Sequence, residues 1–156
     1  MCDLPYGTTN CKWDVIIPFN KLWEQYERII KDDGNIVLFG CEPFTSLLIT
    51  SNLKLYKYSW VWVKNRCTGH MLSKVKPMKK TEDICVFSKG SLDSRGKAKV
   101  ISKYFPQGTI QVEGLVRHRF EDLDGTVYGK RSTHDTLIER TNYPSNVLSF
   151  DIEMNE

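Results

Sequence analysis

Near the start of the chain stand five residues able to do chemistry together: Asp3, Leu4, Pro5, Tyr6 and Gly7. A carboxylate at Asp3 accepts hydrogen bonds from an amino group. Pro5 stiffens the turn, and Tyr6 offers a flat face for stacking. Such a set suits a planar, amino-bearing ring such as a nucleobase. An ordinary Pro-Gly turn with an aromatic packed beneath it is the competing reading of five residues alone. The elements that must position the set therefore matter.

Following the turn, Thr8, Thr9, Asn10 and Pro18 mark a loop. Phe19, Leu22, Trp23, Tyr26, Ile29 and Ile30 then recur at spacings of three and four, which predicts a helix with one apolar face. Asn20 is its expected N-cap, and Gly34 its expected stop. Residues 35–39 predict a short buried strand ended by Gly40, and residues 43–52 a second helix. The alternating aromatic run Tyr56-Lys-Tyr-Ser-Trp-Val-Trp-Val63 predicts a strand with Trp60 and Trp62 facing the core. Residues 64–83, with Gly69 and Pro77, read as a loop on which His70 is exposed, and residues 83–88 as another strand closed by Gly90. Helices alternating with strands predict an α/β layer structure with a mainly parallel sheet.

Beyond Gly90 the chain is polar, with short strands expected at 109–112, 115–120 and 126–128 and an extended segment at 143–150. Two regions are thus expected, 1–90 and 91–156. Charge divides the chain differently. Residues 54–103 carry 13 Lys/Arg against 3 Asp/Glu, net +10, whereas the stretches on either side are net −3 and −4. A polyanion is a natural partner for a basic block of this density, and a solvated face is the competing reading of the charge alone. No apolar run reaches the roughly 18 residues that span a bilayer, and the N-terminus shows no basic region followed by an apolar stretch, so a membrane or secreted protein is not expected. Five cysteines with irregular spacing and no C-x-x-C pair give no support to a zinc site and fit reduced thiols in a cytoplasmic protein.

In this context the chain resembles the amino-methylating DNA methyltransferases, whose hallmark is Asp-Pro-Pro-Tyr, and phage or prophage members most of all. The resemblance runs through Asp3-Leu-Pro-Tyr-Gly-Thr-Thr9, Lys12-Trp-Asp14, the helix Pro18–Lys31, Asn35-Ile-Val-Leu-Phe-Gly40, Pro43-Phe-Thr45, Trp60-Val-Trp-Val-Lys-Asn65, Lys76-Pro77, Glu82-Asp-Ile-Cys-Val-Phe87 and Tyr104-Phe-Pro-Gln107. Order and spacing agree together, which is more specific than any one motif.

The resemblance implies a partial Rossmann-like, S-adenosylmethionine-dependent fold at 1–90 and a β-containing recognition region at 91–156. It implies site-specific methylation of duplex DNA at an exocyclic amino group, adenine-type because the first motif position is acidic, of the kind found in restriction-modification. Asp3 would accept one hydrogen from the amino group of a flipped base and the Leu4 carbonyl the other. Pro5 would hold the turn and Tyr6 would stack on the base. Leu4 departs from the usual proline but still supplies a carbonyl. With both hydrogens fixed, the amino lone pair is freed from the ring to attack a sulfonium methyl. Lys64, Arg66, Lys74, Lys76, Lys79 and Lys80 would touch phosphates. Arg117, His118, Arg119, Lys130 and Arg131 are candidates in the recognition region. No strand, glycine-rich turn and helix for a nucleotide cofactor occur in that order between Gly7 and Glu156. The cofactor-binding residues are therefore unassigned, and a complementary methyltransferase half is the expected partner. The alternative is a non-enzymatic DNA-binding remnant or subunit of a split methyltransferase.

Overall fold

A computed structural model describes residues 1–92, 99–117 and 136–150. The described chain is mixed α/β, with two helices and a small sheet. Helix α1 spans Phe19–Ile29 and buries Trp23, whose indole N–H donates to Ser51 Oγ at 2.7 Å. The residue at its N-cap is Pro18, not Asn20. The Pro18 carbonyl accepts the Leu22 N–H at 3.1 Å, and proline suits a helix start because it has no N–H to lose.

Strand β1 (Asn35–Gly40) buries every second residue, and helix α2 (Phe44–Ser51) follows it. Strand β2 runs over Tyr56–Thr68 and β3 over Lys79–Ser88. The sheet order is β1-β3-β2-β6, where β6 is Val147–Ser149. The core gathers Leu4, Trp23, Ile36, Leu38, Phe44, Leu48, Leu55, Cys85 and Phe87 between the sheet and the helices.

Three expectations are corrected. The sheet is not mainly parallel: β3 lies between β1 and β2 and runs antiparallel to both, with Leu38 opposite Cys85 and Trp60 opposite Ile84. The connection from β2 to β3 is a hairpin tip, too short for the crossover that a parallel neighbour requires. Nor are residues 64–83 a loop. Thr68 pairs with Lys79, so both strands extend into the basic segment. Their polar side chains in this stretch carry no apolar alternation, because that part of the hairpin faces solvent. Trp60 and Trp62 are half-buried and not in the core.

The chain forms two compact units, one of residues 1–104 together with the chain from Asn146, the other Phe105–Ser145. The first unit reaches past Gly90 because residues 102–103 are tied to its sheet. Ser102 Oγ donates to Asn35 Oδ1 at 2.6 Å, Asn35 Nδ2 donates to the Lys103 carbonyl at 2.6 Å, and the Lys103 ammonium pairs with Asp33 at 2.7 Å. This ion pair holds the Asp33 carboxyl below its ordinary range. The second unit is a ribbon of β4 (Ile110–Arg117) antiparallel to β5 (Thr136–Thr141), with an irregularity between Gln111 and Leu115. Strands expected at 109–112 and 115–120 are thus one interrupted strand as far as Arg117. The strand expected at 126–128, with His118, Arg119, Lys130 and Arg131, lies outside the described residues.

Candidate functional site

Cys2 pairs in parallel with Leu38: its N–H donates to the Val37 carbonyl at 2.9 Å, and its carbonyl accepts the Phe39 N–H at 3.1 Å. The chain then leaves the sheet beside the carboxyl end of β1. Asp3–Tyr6 therefore stand at the edge where open α/β sheets bind ligands. Leu4 turns inward and is buried in the core, which fixes the backbone between Asp3 and Pro5. Asp3 is exposed.

The Tyr6 ring stacks on Phe44 at 5.0 Å between centroids and 26° between planes, and Phe19 packs on Phe44 in turn at 6.0 Å. One face of Tyr6 is thereby backed by the first turn of α2. Its hydroxyl donates to Asp3 Oδ1 at 2.7 Å. Burial raises the Tyr6 pKa far above the usual phenol value, the Asp3 hydrogen bond adds to the shift, and Glu82 at the base of the hairpin contributes through its charge. Tyr6 is therefore a neutral phenol at physiological pH.

A second carboxylate organises the loop that follows. The N–H groups of Gly7, Thr8 and Thr9 all donate to Asp14, at 2.8, 2.9 and 2.7 Å. Led by the bond from Gly7, these donors hold the carboxyl down at about 2. Glycine is needed at position 7: φ is +67°, and an added Cβ would lie 3.0 Å from the Ile16 side chain. Next to this anchor the Trp13 indole is 73% exposed. Asp3, Leu4, Pro5, Tyr6, Thr8, Thr9, Trp13 and Asp14 line a cleft of about 410 Å³. It offers one exposed carboxylate, Asp3, a backed aromatic face, and a second aromatic in Trp13. A flat ring with an amino edge matches this chemistry.

The expected phosphate-contacting residues divide into two groups. Lys64 is paired with Glu82 and lies over the Trp62 ring, 5.4 Å from its centroid. Lys79 folds back, donating to Cys41 Sγ at 2.9 Å and to the Glu42 carbonyl at 3.1 Å. Arg66, Lys74, Lys76 and Lys80 are exposed and form no ion pair among the described residues.

Sequence reasoning assigned no role to Trp13, Asp14 or Phe44. An aspartate shortly after a Gly-Thr-Thr turn was the available signal, since such side chains commonly accept from nearby backbone N–H groups. Phe44 joins the site only through tertiary packing.

A nucleotide cofactor needs a glycine turn left open between a strand and a helix. Gly40, between β1 and α2, holds that place, but a Cβ there would meet Thr45 Oγ1 at 2.6 Å, so the chain itself fills the space. Among the described residues Gly40 does not supply such an open turn. No helix among them is long and apolar enough to cross a membrane. No protein-family model matches the chain, and no curated protein matches it significantly.

Proposed function

We propose that the chain is the base-holding part of an adenine-type, site-specific DNA methyltransferase with a partial Rossmann-like fold, acting on duplex DNA in the cytoplasm. The observation that carries the reading is the pairing of Asp3 with a Tyr6 ring whose other side is backed by Phe44, beside the carboxyl end of β1. A flipped adenine stacks on the open face of Tyr6. Its amino group donates one hydrogen to Asp3 and the other to the Leu4 carbonyl. Both acceptors draw the nitrogen out of conjugation and orient its lone pair, which is the protein's contribution on the base side. Trp13 bounds the same cleft and limits how far the base can tilt.

S-adenosylmethionine would supply the methyl group. The filled space at Gly40 favours its being held by a complementary methyltransferase half and not by these residues. The same observation favours the second reading, a DNA-binding subunit of a split enzyme, since both share the cleft and differ only in that half.

Binding of the full chain to duplexes bearing an unpaired adenine, or an abasic site at the same position, tests the reading. The adenine duplex is expected to bind more tightly, by about 1–3 kcal/mol, the usual worth of base stacking. Tyr6→Ala is expected to erase the difference and Asp3→Ala to reduce it, each leaving the abasic duplex bound as before. Equal affinity of the wild-type chain for the two duplexes would overturn the reading.

A further inference from the structure

The β2–β3 hairpin rises from the sheet edge that carries the cleft. Gly40 of β1 is opposite Asp83, and Glu82 beside it is close enough to Tyr6 to act on its ionisation. Beyond this base the hairpin ends in a tip with an unusual surface. Met71 is 87% exposed and Val75 79%, and Leu72 and Met78 are also exposed. Between Lys64 and Thr81 there are six Lys/Arg and no Asp or Glu.

The tip is hydrogen-bonded within itself. Leu72 N–H donates to the Gly69 carbonyl at 3.0 Å, Ser73 N–H to that of His70 at 3.1 Å, and both Val75 and Lys76 N–H to that of Leu72 at 3.0 Å. Gly69 makes the turn with φ +86°. Apolar side chains are thus held outward on a pre-shaped nose, among cations of which Arg66, Lys74, Lys76 and Lys80 form no ion pair within the described residues.

We propose that this tip is a wedge for duplex DNA: Met71 and Val75 enter a groove and part a base step, while Arg66, Lys74, Lys76 and Lys80 hold the flanking phosphates. Architectural DNA-binding proteins insert apolar side chains between base steps in this way, unstacking them and bending the duplex. The charge of the segment selects a polyanion, and the rigid apolar tip supplies what phosphate contacts lack, a means to open the stack. An acidic membrane has the same surface chemistry. Duplex DNA is favoured because the hairpin and the ring-binding cleft share one sheet edge, so one duplex can engage both. The wedge rests on the methyltransferase reading for its partner.

The test uses the full chain, a duplex carrying the fluorescent adenine analogue aminopurine, and vesicles of phosphatidylserine with phosphatidylcholine. Wild type is expected to bind the duplex and raise the aminopurine signal severalfold, as unstacking does. The double variant Met71→Ser, Val75→Ser is expected to bind with a salt dependence like that of wild type but to lose most of the signal. The double variant Lys74→Ala, Lys76→Ala is expected to bind more weakly, with a salt slope reduced by about 2.

A full signal from duplex-bound Met71→Ser, Val75→Ser would overturn the wedge and leave the methyltransferase reading standing. Tighter binding to the vesicles than to the duplex would overturn the wedge in favour of a membrane contact. No duplex binding by wild type at low salt would overturn both. A normal wedge response with no preference for an unpaired adenine would sink the methyltransferase reading alone. Circular dichroism of each variant checks that it is folded.

Discussion

The motif loop and the hairpin tip project from the same sheet edge, yet they are built in opposite ways. In the loop the groups that set its shape are answered from within. Asp14 accepts three backbone N–H groups, Tyr6 is stacked and hydrogen-bonded, and Leu4 is buried. At the tip four backbone N–H groups are bonded within the turn, while the apolar and cationic side chains face solvent. A loop tied down in this way holds atoms in fixed places. A tip left open is finished by whatever binds it. Stability should therefore respond strongly to changes behind the cleft and hardly at all to changes at the tip.

The largest effect is expected at Phe44, which is 1% exposed and lies under both Tyr6 and Phe19. Phe44→Ala should cost about 3–5 kcal/mol, the usual range for a buried phenylalanine, measured by chemical denaturation. A loss no larger than that of a surface substitution would break the contrast.

Next comes Asp14→Asn, which puts an amide where three donors converge. The amides of Gly7, Thr8 and Thr9 should exchange markedly faster with solvent, while those of β3 keep their protection. The pH response has a definite sign. The folded pKa of Asp14, about 2, lies below the unfolded carboxylate value of about 3.9. Its contribution is therefore fully present above about pH 4 and is lost as the pH falls through about 2. Protection of these amides should follow that course in wild type and be flat over the same range in Asp14→Asn, as hydrogen exchange would record.

A smaller change is expected for Tyr6→Phe. The ring keeps its stack on Phe44 and loses only the 2.7 Å bond to Asp3. A cost of about 0.5–1.5 kcal/mol is typical of one such bond, and the denaturation midpoint reports it. The smallest effect is expected at Met71→Ser, within about 0.5 kcal/mol of wild type because the side chain touches little of its own fold. A clear destabilisation there would mean that the tip packs against the protein.

How much of this was legible in the sequence depended on where the signal was stored. Helix α1 announced itself through six apolar residues on one face, and β1 and α2 through short apolar runs bounded by glycine or proline. Most of the hairpin beyond Val63 did not, because Lys79, Lys80 and Thr81 form a strand whose outward face carries no apolar rhythm. The direction of β3 was equally hidden. Alternating helices and strands suggest parallel neighbours, but direction is set by the connection, and a ten-residue hairpin tip reverses the chain. Asp3 to Tyr6 could be read because the residues are contiguous. Phe44 could not be assigned to the site, since nothing local places it beneath Tyr6. Lys79 was expected at a phosphate, but its ammonium is held by Cys41 and Glu42.

The way the second unit is attached bears on how the molecule can change over generations. The chain leaves the first unit at Tyr104, whose ring lies edge-on to Tyr58, and re-enters at Asn146, whose carbonyl accepts the Val61 N–H at 2.8 Å. Tyr58 and Val61 are about 10 Å apart along β2. Exit and entry both contact β2, so the ribbon between them is an insertion within the chain of the first unit. Recombination at these two points can exchange, lengthen or delete the ribbon while the register of β2 with β3, and the cleft beside β1, stay as they are. The second unit is thus free to diversify while the first is inherited intact.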